Sequence, residues 1–298
     1  MDLIGKTFVV TGATSGIGQA AARQLAERGA HVIGVGRSPE KCRQQQDALA
    51  QAYPQAKVKY LVADLSLQSH VRRLADEITT HLNGSGLHGL INNAGAVPFW
   101  YTLTAEGFET QWATNHLAGF LLTHLLLPEL SRPDMARVVT VSSNSHYGGS
   151  IHWDDVQMRR RYQPLKAYQQ SKLANVLFSA EFNRRRPGGP NLRAFAADPG
   201  LVKTDIGAKK NPGLVGWVWR WRASGGISPD ESARGVVFLA CEPSIHDSPD
   251  VYWKHSRPKP PTPYALDPAH AARLWELSAQ MAGLPYAKPA PQAVEEAA

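Results

Sequence analysis

The sequence predicts a doubly wound α/β fold, in which a parallel sheet of seven strands carries helices on both faces. Short runs of β-branched and apolar residues alternate along the chain with longer segments of 3.6-residue periodicity. Such alternation requires crossover connections, and these build a parallel sheet buried between two helical layers. No linker-like segment divides the 298 residues, so we expect a single domain.

The predicted elements follow in regular order until about residue 200. Brief apolar segments bounded by turn residues predict strands at 7–11, 31–36, 57–63, 89–92, 137–142, 192–197 and about 251–253. Periodic segments predict helices at 16–28, 39–52, 67–82, 104–130, 164–185 and 268–281, with another that begins near Pro229 after Ser228 as its N-cap. The domain is expected to cover 1–283, and the Pro- and Ala-rich tail 284–298 is expected to be disordered.

Composition limits the classes of protein to which the chain can belong. Hydrophobic residues make up 43% and charged residues 19%, a globular balance that excludes disorder of the whole chain. Cys42 and Cys241 lie far apart without a partner motif, which indicates a reducing compartment. With neither a signal peptide nor an apolar run long enough to span a bilayer in the sequence, we expect a cytoplasmic location. The net charge of +7 comes mostly from scattered residues, which disfavours nucleic acid as a partner.

A glycine-rich turn follows the first predicted strand and opens a helix. Its candidate cofactor-binding residues are Gly12, Thr14, Ser15, Gly16, Ile17 and Gly18. Glycines here let the backbone approach a pyrophosphate, whose charge is stabilised by free amides at the helix N-terminus. In this context the turn predicts dinucleotide binding, and the alternative is a tight turn with a structural role only.

The residue after the second strand predicts which dinucleotide binds. A site that prefers NAD usually offers an acidic side chain to the ribose 2′-hydroxyl there, but this chain has Arg37. A guanidinium suits a 2′-phosphate, so NADP(H) is the predicted cofactor and an ordinary surface arginine is the alternative. Ligands in such folds lie along the carboxyl edge of the sheet. The other candidate contacts at that edge are Asp64, Leu65, Asn92, Ala94 and Gly95.

A tyrosine and a lysine stand four residues apart in the helix predicted at 164–185. Side chains at i and i+4 share one helical face, so Tyr168 and Lys172 are expected to lie close together. A neighbouring ammonium favours the phenolate and is expected to lower the pKa of Tyr168 from about 10 toward neutrality. Tyr168 is therefore a candidate general acid/base. The alternative is a pair on a solvated helix face, where this spacing is common.

The glycine turn, the Asn-Asn-Ala-Gly segment at 92–95 and the Tyr-x-x-x-Lys pair occur together and in this order. In these motifs the chain resembles the short-chain dehydrogenase/reductase family over about residues 6–284, which implies a Rossmann fold. By this resemblance, Tyr168 is the acid/base, and Lys172 lowers its pKa and contacts the nicotinamide ribose. Ser143 corresponds to the serine that hydrogen-bonds the substrate oxygen, and Asn115 to the asparagine that helps to hold a proton-relay water.

Chemistry supports the roles of the two hydroxyl groups. Hydride addition to a carbonyl builds negative charge on its oxygen, so a hydrogen-bond donor and a proton source must converge there. Ser142 is the alternative to Ser143, because neighbouring side chains on a strand face opposite ways. The turn at 198–204 resembles the nicotinamide-facing loop of the family, which adds Pro199, Val202 and Thr204 to the candidate cofactor contacts.

The segments 138–154 and 168–178 look like the retinol dehydrogenase branch of the family. This implies a lipophilic aldehyde, ketone or alcohol as substrate. The family places a mobile substrate lid at about 205–228, where Trp217 and Trp221 are candidate pocket residues; the alternatives are contacts with a membrane surface or with another subunit. Ser143 and His146 are the other candidate substrate contacts, and His146 is expected at the site entrance.

Three further expectations concern metals, assembly and alternative functions. No metal is expected, because the histidines show no HxxxH or HExxH spacing. By the resemblance, a homodimer or homotetramer forms through helices 104–130 and 164–185. The alternative functions are a reductase of another planar or steroid-like hydrophobe and a catalytically silent NADP(H)-binding regulator, because a fold does not guarantee activity.

Overall fold

The structure, a computed structural model, describes residues 2–202 and 226–285. In this part of the chain one sheet runs in the order β3-β2-β1-β4-β5-β6-β7-β8. The strands are β1 (Thr7–Thr11), β2 (His31–Gly36), β3 (Val58–Val62), β4 (Gly89–Asn92), β5 (Ala136–Val141), β6 (Leu192–Asp198), β7 (Tyr252–Lys254) and β8 (Arg257–Pro258). Neighbours from β3 to β7 pair in parallel, and β8 pairs antiparallel with β7. The predicted doubly wound fold is therefore confirmed, with β8 as an addition at the edge that the sequence did not predict.

The longer helices of the described residues agree closely with prediction, except within the segment 104–130. They are α1 (Gly16–Glu27), α2 (Pro39–Ala52), α3 (Gln68–Leu82), α4 (Ala118–Leu125), α5 (Pro164–Arg185), α6 (Pro229–Cys241) and α7 (Pro268–Met281). Ser228 caps α6 as expected, because its hydroxyl oxygen accepts from the Glu231 amide at 3.1 Å. None of the helices described has both the length and the apolar content that a bilayer crossing needs.

The prediction of one helix over 104–130 is wrong. Residues 104–109 form a turn in which Leu103 pairs with Glu109 in an antiparallel bridge. The helix starts only at Thr110, because the Glu109 carboxylate accepts hydrogen bonds from two amides of the first turn. It then passes through a π-helical turn at Ala113–Leu117 and breaks before a short helix at Leu127–Leu130, where Pro128 lies in the first turn.

Apolar side chains alternate between the two faces of the sheet. Phe8 and Val10 of β1 pack in one hydrophobic cluster with residues of α1, α2 and α6. Val9 points the other way, into a cluster that includes residues of α3, α4, α5 and α7. Because strand side chains alternate with a period of two, each face has its own core, and polar groups concentrate at the carboxyl edge of the strands.

Strand order reverses between β1 and β4, and this reversal positions the site. The chain runs outward from β1 to β3 and then crosses to β4, which pairs with the other side of β1. The connections that leave β1 and β4 therefore diverge to opposite sides and open a crevice at the carboxyl edge. Ligands of doubly wound proteins bind at such a switch point.

Candidate active site

The glycine turn after β1 forms a cradle of backbone atoms at this crevice. Gly12 and Gly16 have φ angles of 67° and 58°, in the left-handed region that favours glycine. A Cβ atom on Gly18 would lie 2.4 Å from both the Gly12 carbonyl oxygen and Asn93 Nδ2. Helix α1 thus packs so close to the turn that a methyl group at position 18 has no room.

The cradle fits the pyrophosphate of a dinucleotide. Ser15 is the N-cap of α1, and within the described chain its side chain caps no amide of the first turn, which leaves those amides for an anionic ligand. Thr14 closes the side toward β2, since a Cβ on Gly36 would lie 2.4 Å from its methyl group. The structure therefore brings together the predicted residues of this turn: Gly12, Thr14, Ser15, Gly16, Ile17 and Gly18.

Asn93 joins the cradle to β4, a role that sequence reasoning missed. Its Nδ2 donates to the Thr11 carbonyl oxygen at 2.8 Å, and its main-chain amide donates to Thr11 Oγ1 at 2.9 Å. The Ala94 amide donates to the same hydroxyl oxygen at 3.0 Å. The signal that could have found Asn93 is the pair of adjacent amide side chains at a strand end, since only one of the two can face the turn.

Asn92 faces away from the cradle. Its Nδ2 donates to Thr123 Oγ1 at 3.0 Å and so ties β4 to α4. Its side chain is therefore engaged in the contact between β4 and α4. Asn92, Leu65, Ala94 and Asn115 line one small crevice between the strand ends and α4, and Gly95 continues the same segment.

Arg37 and Asp64 lie at the ends of β2 and β3, where the adenosine half of a dinucleotide is expected. Burial acts to raise the pKa of Asp64, but hydrogen bonds from Ser66 and the positive charge of Arg37 outweigh it and lower that pKa overall. The Arg37 side chain is exposed. The Arg37 guanidinium lies close enough to Asp64 to lower the pKa of that carboxyl group, and its exposure allows it to bind an anion at this corner of the crevice.

Tyr168 and Ser143 meet on the other side of the crevice. Ser143 follows β5 and Tyr168 lies in α5, and the two hydroxyl groups are hydrogen-bonded. Burial raises the pKa of Tyr168, the bond to Ser143 acts against this rise, and the negative charge of Asp198 adds to it. The phenol therefore keeps its proton at neutral pH.

Lys172 lies one turn further along α5 and is 4% exposed. Its Nζ donates to the Val141 carbonyl oxygen at 2.9 Å and lies 5.6 Å from the centroid of the Tyr168 ring. Burial lowers the pKa of Lys172 to about 8. The expected lowering of the Tyr168 pKa is wrong for this structure, because the burial of the phenol outweighs its neighbours.

The structure separates Ser142 from Ser143. Ser142 is buried and donates to the main-chain oxygen of Lys172 at 2.8 Å, so it packs β5 against α5. The Ser143 hydroxyl instead faces Tyr168 and also accepts from the Ser145 amide at 3.1 Å. Consecutive side chains face opposite ways, as a strand requires.

Asn115 lies in the π-helical turn, and its side chain is fully used. Asn115 Oδ1 accepts from the Ala96 amide at 2.7 Å, and Nδ2 donates to the Ala96 carbonyl oxygen at 3.0 Å and to Ser171 Oγ at 3.1 Å. The Ser171 hydroxyl donates in turn to the Tyr168 carbonyl oxygen at 2.8 Å. A π-helical turn widens the backbone and often marks a functional site; here it brings Asn115 against α5.

His146 does not line the site entrance, and that expectation is wrong. Its ring is 0% exposed. Nδ1 lies 2.9 Å from the Ser143 carbonyl oxygen, Nε2 accepts from the Thr262 amide at 3.4 Å, and the ring packs against Tyr252. The residue therefore supports the loop that carries Ser143, and a substrate has no access to it.

The nicotinamide-facing loop is described only in part. The Pro199 carbonyl oxygen accepts from Ser232 Oγ at 2.8 Å, and Val202 pairs with Ile227 in a parallel bridge. Thr204, Trp217, Trp221 and almost all of the predicted lid at 205–228 lie outside the described residues, as does the predicted tail beyond residue 285. Among the residues described, no group of three or more His, Cys, Asp or Glu side chains is arranged to hold a metal ion.

A backbone cradle for a dinucleotide beside a paired serine, tyrosine and lysine defines a class of enzyme, and comparison agrees with it. The sequence profile of the short chain dehydrogenase family matches residues 6–214, and the chain belongs to this family. Within the family it is of the retinol dehydrogenase-like branch. The chain is an oxidoreductase, and the family binds a nicotinamide cofactor.

Relatives match over nearly the whole chain. Human retinol dehydrogenase 13 is 35% identical, and the match covers 94% of this chain and 85% of that protein. Human polyprenol dehydrogenase is 33% identical over 94% of this chain and 86% of its own length. The crystal structure of an uncharacterised protein from Mycobacterium paratuberculosis is 37% identical, covers 96% of this chain and 97% of its own, and superposes with a TM-score of 0.76.

Proposed function

We propose that this chain uses NADP(H) to interconvert a lipophilic aldehyde or ketone and its alcohol. The observation that carries the proposal is the hydrogen-bonded pair of Ser143 and Tyr168 beside the buried Lys172, at the same sheet edge as the glycine cradle. A bound NADPH supplies a hydride to the carbonyl carbon. Ser143 donates a hydrogen bond to the carbonyl oxygen as negative charge builds on it.

Tyr168 is placed to complete the reduction. As the carbon–oxygen π bond breaks, its phenol gives a proton to that oxygen, and solvent restores the proton afterwards. The raised pKa of Tyr168 suits this direction, because the acid form predominates at neutral pH. Lys172 lies close enough to stabilise the phenolate that the transfer leaves behind.

The names of two relatives support a lipophilic substrate. One is a retinol dehydrogenase and the other a polyprenol dehydrogenase, and both alcohols are long apolar molecules. The test is to incubate the purified protein with NADPH and a panel of lipophilic aldehydes and ketones, and to follow NADPH oxidation. Binding of NADPH without oxidation across the panel would contradict the proposal and favour the silent regulator.

The role of Tyr168 is tested by Tyr168→Phe. Loss of a general acid is expected to reduce kcat by about 10²- to 10⁴-fold, while the affinity for NADPH stays close to that of the wild type because the cradle is unchanged. Turnover and cofactor titration measure the two effects separately. An equal loss of both would mean that the tyrosine is structural.

The preference for NADP(H) is tested by Arg37→Asp. The carboxylate repels a 2′-phosphate and accepts hydrogen bonds from a 2′-hydroxyl, so the ratio of kcat/KM for NADPH to that for NADH is expected to fall by at least about tenfold. Arg43 on α2 is a fitting control, since Arg43→Asp makes the same charge change elsewhere on the exposed surface. A ratio unchanged in Arg37→Asp, or changed equally in both variants, would remove the assignment.

A further inference from the structure

Asn175 lies one turn beyond Lys172 on α5 and is 2% exposed. Its Nδ2 donates to two main-chain carbonyl oxygens, that of Asn115 at 3.0 Å and that of Val141 at 3.2 Å. The Val141 oxygen is also the acceptor of Lys172 Nζ at 2.9 Å. The buried amide of Asn175 therefore contacts both the Val141 carbonyl oxygen that accepts from Lys172 and the main chain of the π-helical turn at Asn115.

The partners of this amide determine its orientation. Carbonyl oxygens only accept hydrogen bonds, so the NH₂ group of Asn175 must face Asn115 and Val141, and its Oδ1 must face His116. His116 Nδ1 lies 3.4 Å from that oxygen and must carry the ring proton. His116 Nε2 is then the acceptor, and the Ser278 hydroxyl of α7 donates to it at 2.8 Å.

The imidazole in this chain of hydrogen bonds is neutral. His116 is 2% exposed, and burial lowers its pKa to about 4, although the hydrogen bond to Asn175 acts against this. A neutral ring has one donor and one acceptor nitrogen, so the amide orientation that the two carbonyl oxygens impose on Asn175 also determines which nitrogen of His116 carries the proton.

We propose that Asn175 is a positioning residue of the hydride-transfer site, with its amide oriented by the carbonyl oxygens of Asn115 and Val141 and its Oδ1 held by His116. The inference rests on the proposed function. The Val141 oxygen divides its lone pairs between Lys172 and Asn175, so the amide limits where the ammonium can lie relative to Tyr168. The same amide holds the main chain at Asn115 against α5.

The first test compares Asn175→Leu with Ser179→Ala. Leucine has the same number and branching of side-chain heavy atoms but removes the amide, whereas Ser179, one turn further on α5, is buried and donates to the Asn175 main-chain oxygen at 3.1 Å. Freed of its competitor, Lys172 shifts, and kcat in Asn175→Leu is expected to fall at least about fivefold, with a much smaller rise in the KM for NADPH because the glycine cradle is unchanged. Ser179→Ala is expected to keep the wild-type kcat.

The second test needs no turnover. Nitrogen-15 NMR of the protein without cofactor, with the His116 signals assigned by their loss in His116→Gln, is expected to show the proton on Nδ1. In Asn175→Leu that donor has no acceptor, so the proton is expected to move to Nε2 and be donated to Ser278. The usual Nε2-protonated ring in the wild type would overturn the proposed orientation.

The outcomes separate the two proposals. A wild-type protein that oxidises no NADPH would overturn the proposed function and, with it, the role of Asn175. Turnover by the wild type together with equal kcat values in Asn175→Leu and Ser179→Ala would overturn only the positioning role. A matched fall in kcat and rise in the KM for NADPH would also overturn it, because general loss of structure affects both.

Discussion

The cofactor cradle and the catalytic pocket share one edge of the sheet but differ in construction. The cradle is made of backbone from one short turn, 12–18, where glycines bring α1 against β1. The pocket is made of side chains from β5, α5 and the π-helical turn, and one of its hydrogen bonds joins Asn175 to Asn115, 60 residues away. The cradle thus requires positions without side chains, where the backbone can approach closely, whereas the pocket requires particular side chains in particular places.

This difference has an electrostatic consequence. In the pocket, burial raises the pKa of Tyr168 and lowers that of Lys172 to about 8, so both groups are shifted away from their charged forms. The cradle offers amides and an exposed Arg37, which bind an anionic ligand through hydrogen bonds and positive charge. Changes in the pocket should therefore affect turnover, and changes in the cradle should affect cofactor binding.

After Tyr168→Phe, the largest effect is expected for Ser143→Ala. Loss of a donor to the developing oxyanion is expected to lower kcat by about 10²-fold, while NADPH affinity is retained because the cradle is untouched. Steady-state kinetics and NADPH titration measure the two.

Ser142→Ala is the control for this change. It removes the hydrogen bond to the Lys172 main chain and is expected to cost about 1 kcal/mol of unfolding free energy, with a smaller loss of kcat. If Ser142→Ala lost as much turnover as Ser143→Ala with its stability intact, the division between the two serines would be wrong.

A second effect is expected for Gly18→Ala. The added methyl group would lie 2.4 Å from the Gly12 carbonyl oxygen, so α1 must shift, at a cost of about 1–3 kcal/mol. NADPH affinity is expected to fall by at least about tenfold, which calorimetry can measure.

Gly235→Ala is the matched control. It lies in α6, where a Cβ would have its nearest neighbour at an ordinary 3.6 Å, and alanine there is expected to be neutral or slightly stabilising. Normal NADPH affinity in Gly18→Ala would show that the turn accommodates a methyl group at position 18, contrary to the close contact with the Gly12 carbonyl oxygen.

The smallest effect is a dependence of stability on pH. Lys172 titrates at about 8 in the folded protein, against 10.5 for its ordinary value. Between these values the unfolded chain binds more protons, so the free energy of unfolding rises with pH, relative to Lys172→Met, by about 1 kcal/mol per pH unit. Urea unfolding of the two proteins across this window gives the difference directly. A difference that stays flat or falls would mean that the buried lysine is not destabilised in its charged form.

Much of the fold and the cradle could be predicted from the sequence, because both depend on local patterns. Alternating periodicities specified the parallel strands, and glycines at fixed spacing after β1 indicated the turn at 12–18. Helix α5 was predicted with its observed bounds, Pro164–Arg185, and so the spacing of Tyr168 and Lys172 placed both on one side of it. Each of these features depends on residues that are close together in sequence, and local steric limits determine their conformation.

Only the tertiary structure decided the electrostatics and the hydrogen bonds of the pocket. The sequence could indicate that one of two adjacent amides faces the turn, but not that Asn93 would hold the cradle while Asn92 turned inward, or that His146 would be buried beneath Ser143. Nor could it predict the rise in the Tyr168 pKa, which depends on burial and on the charge of Asp198 at the end of another strand. Such properties arise from groups that are distant in sequence, and a local sequence pattern does not determine how deeply such groups are buried against one another.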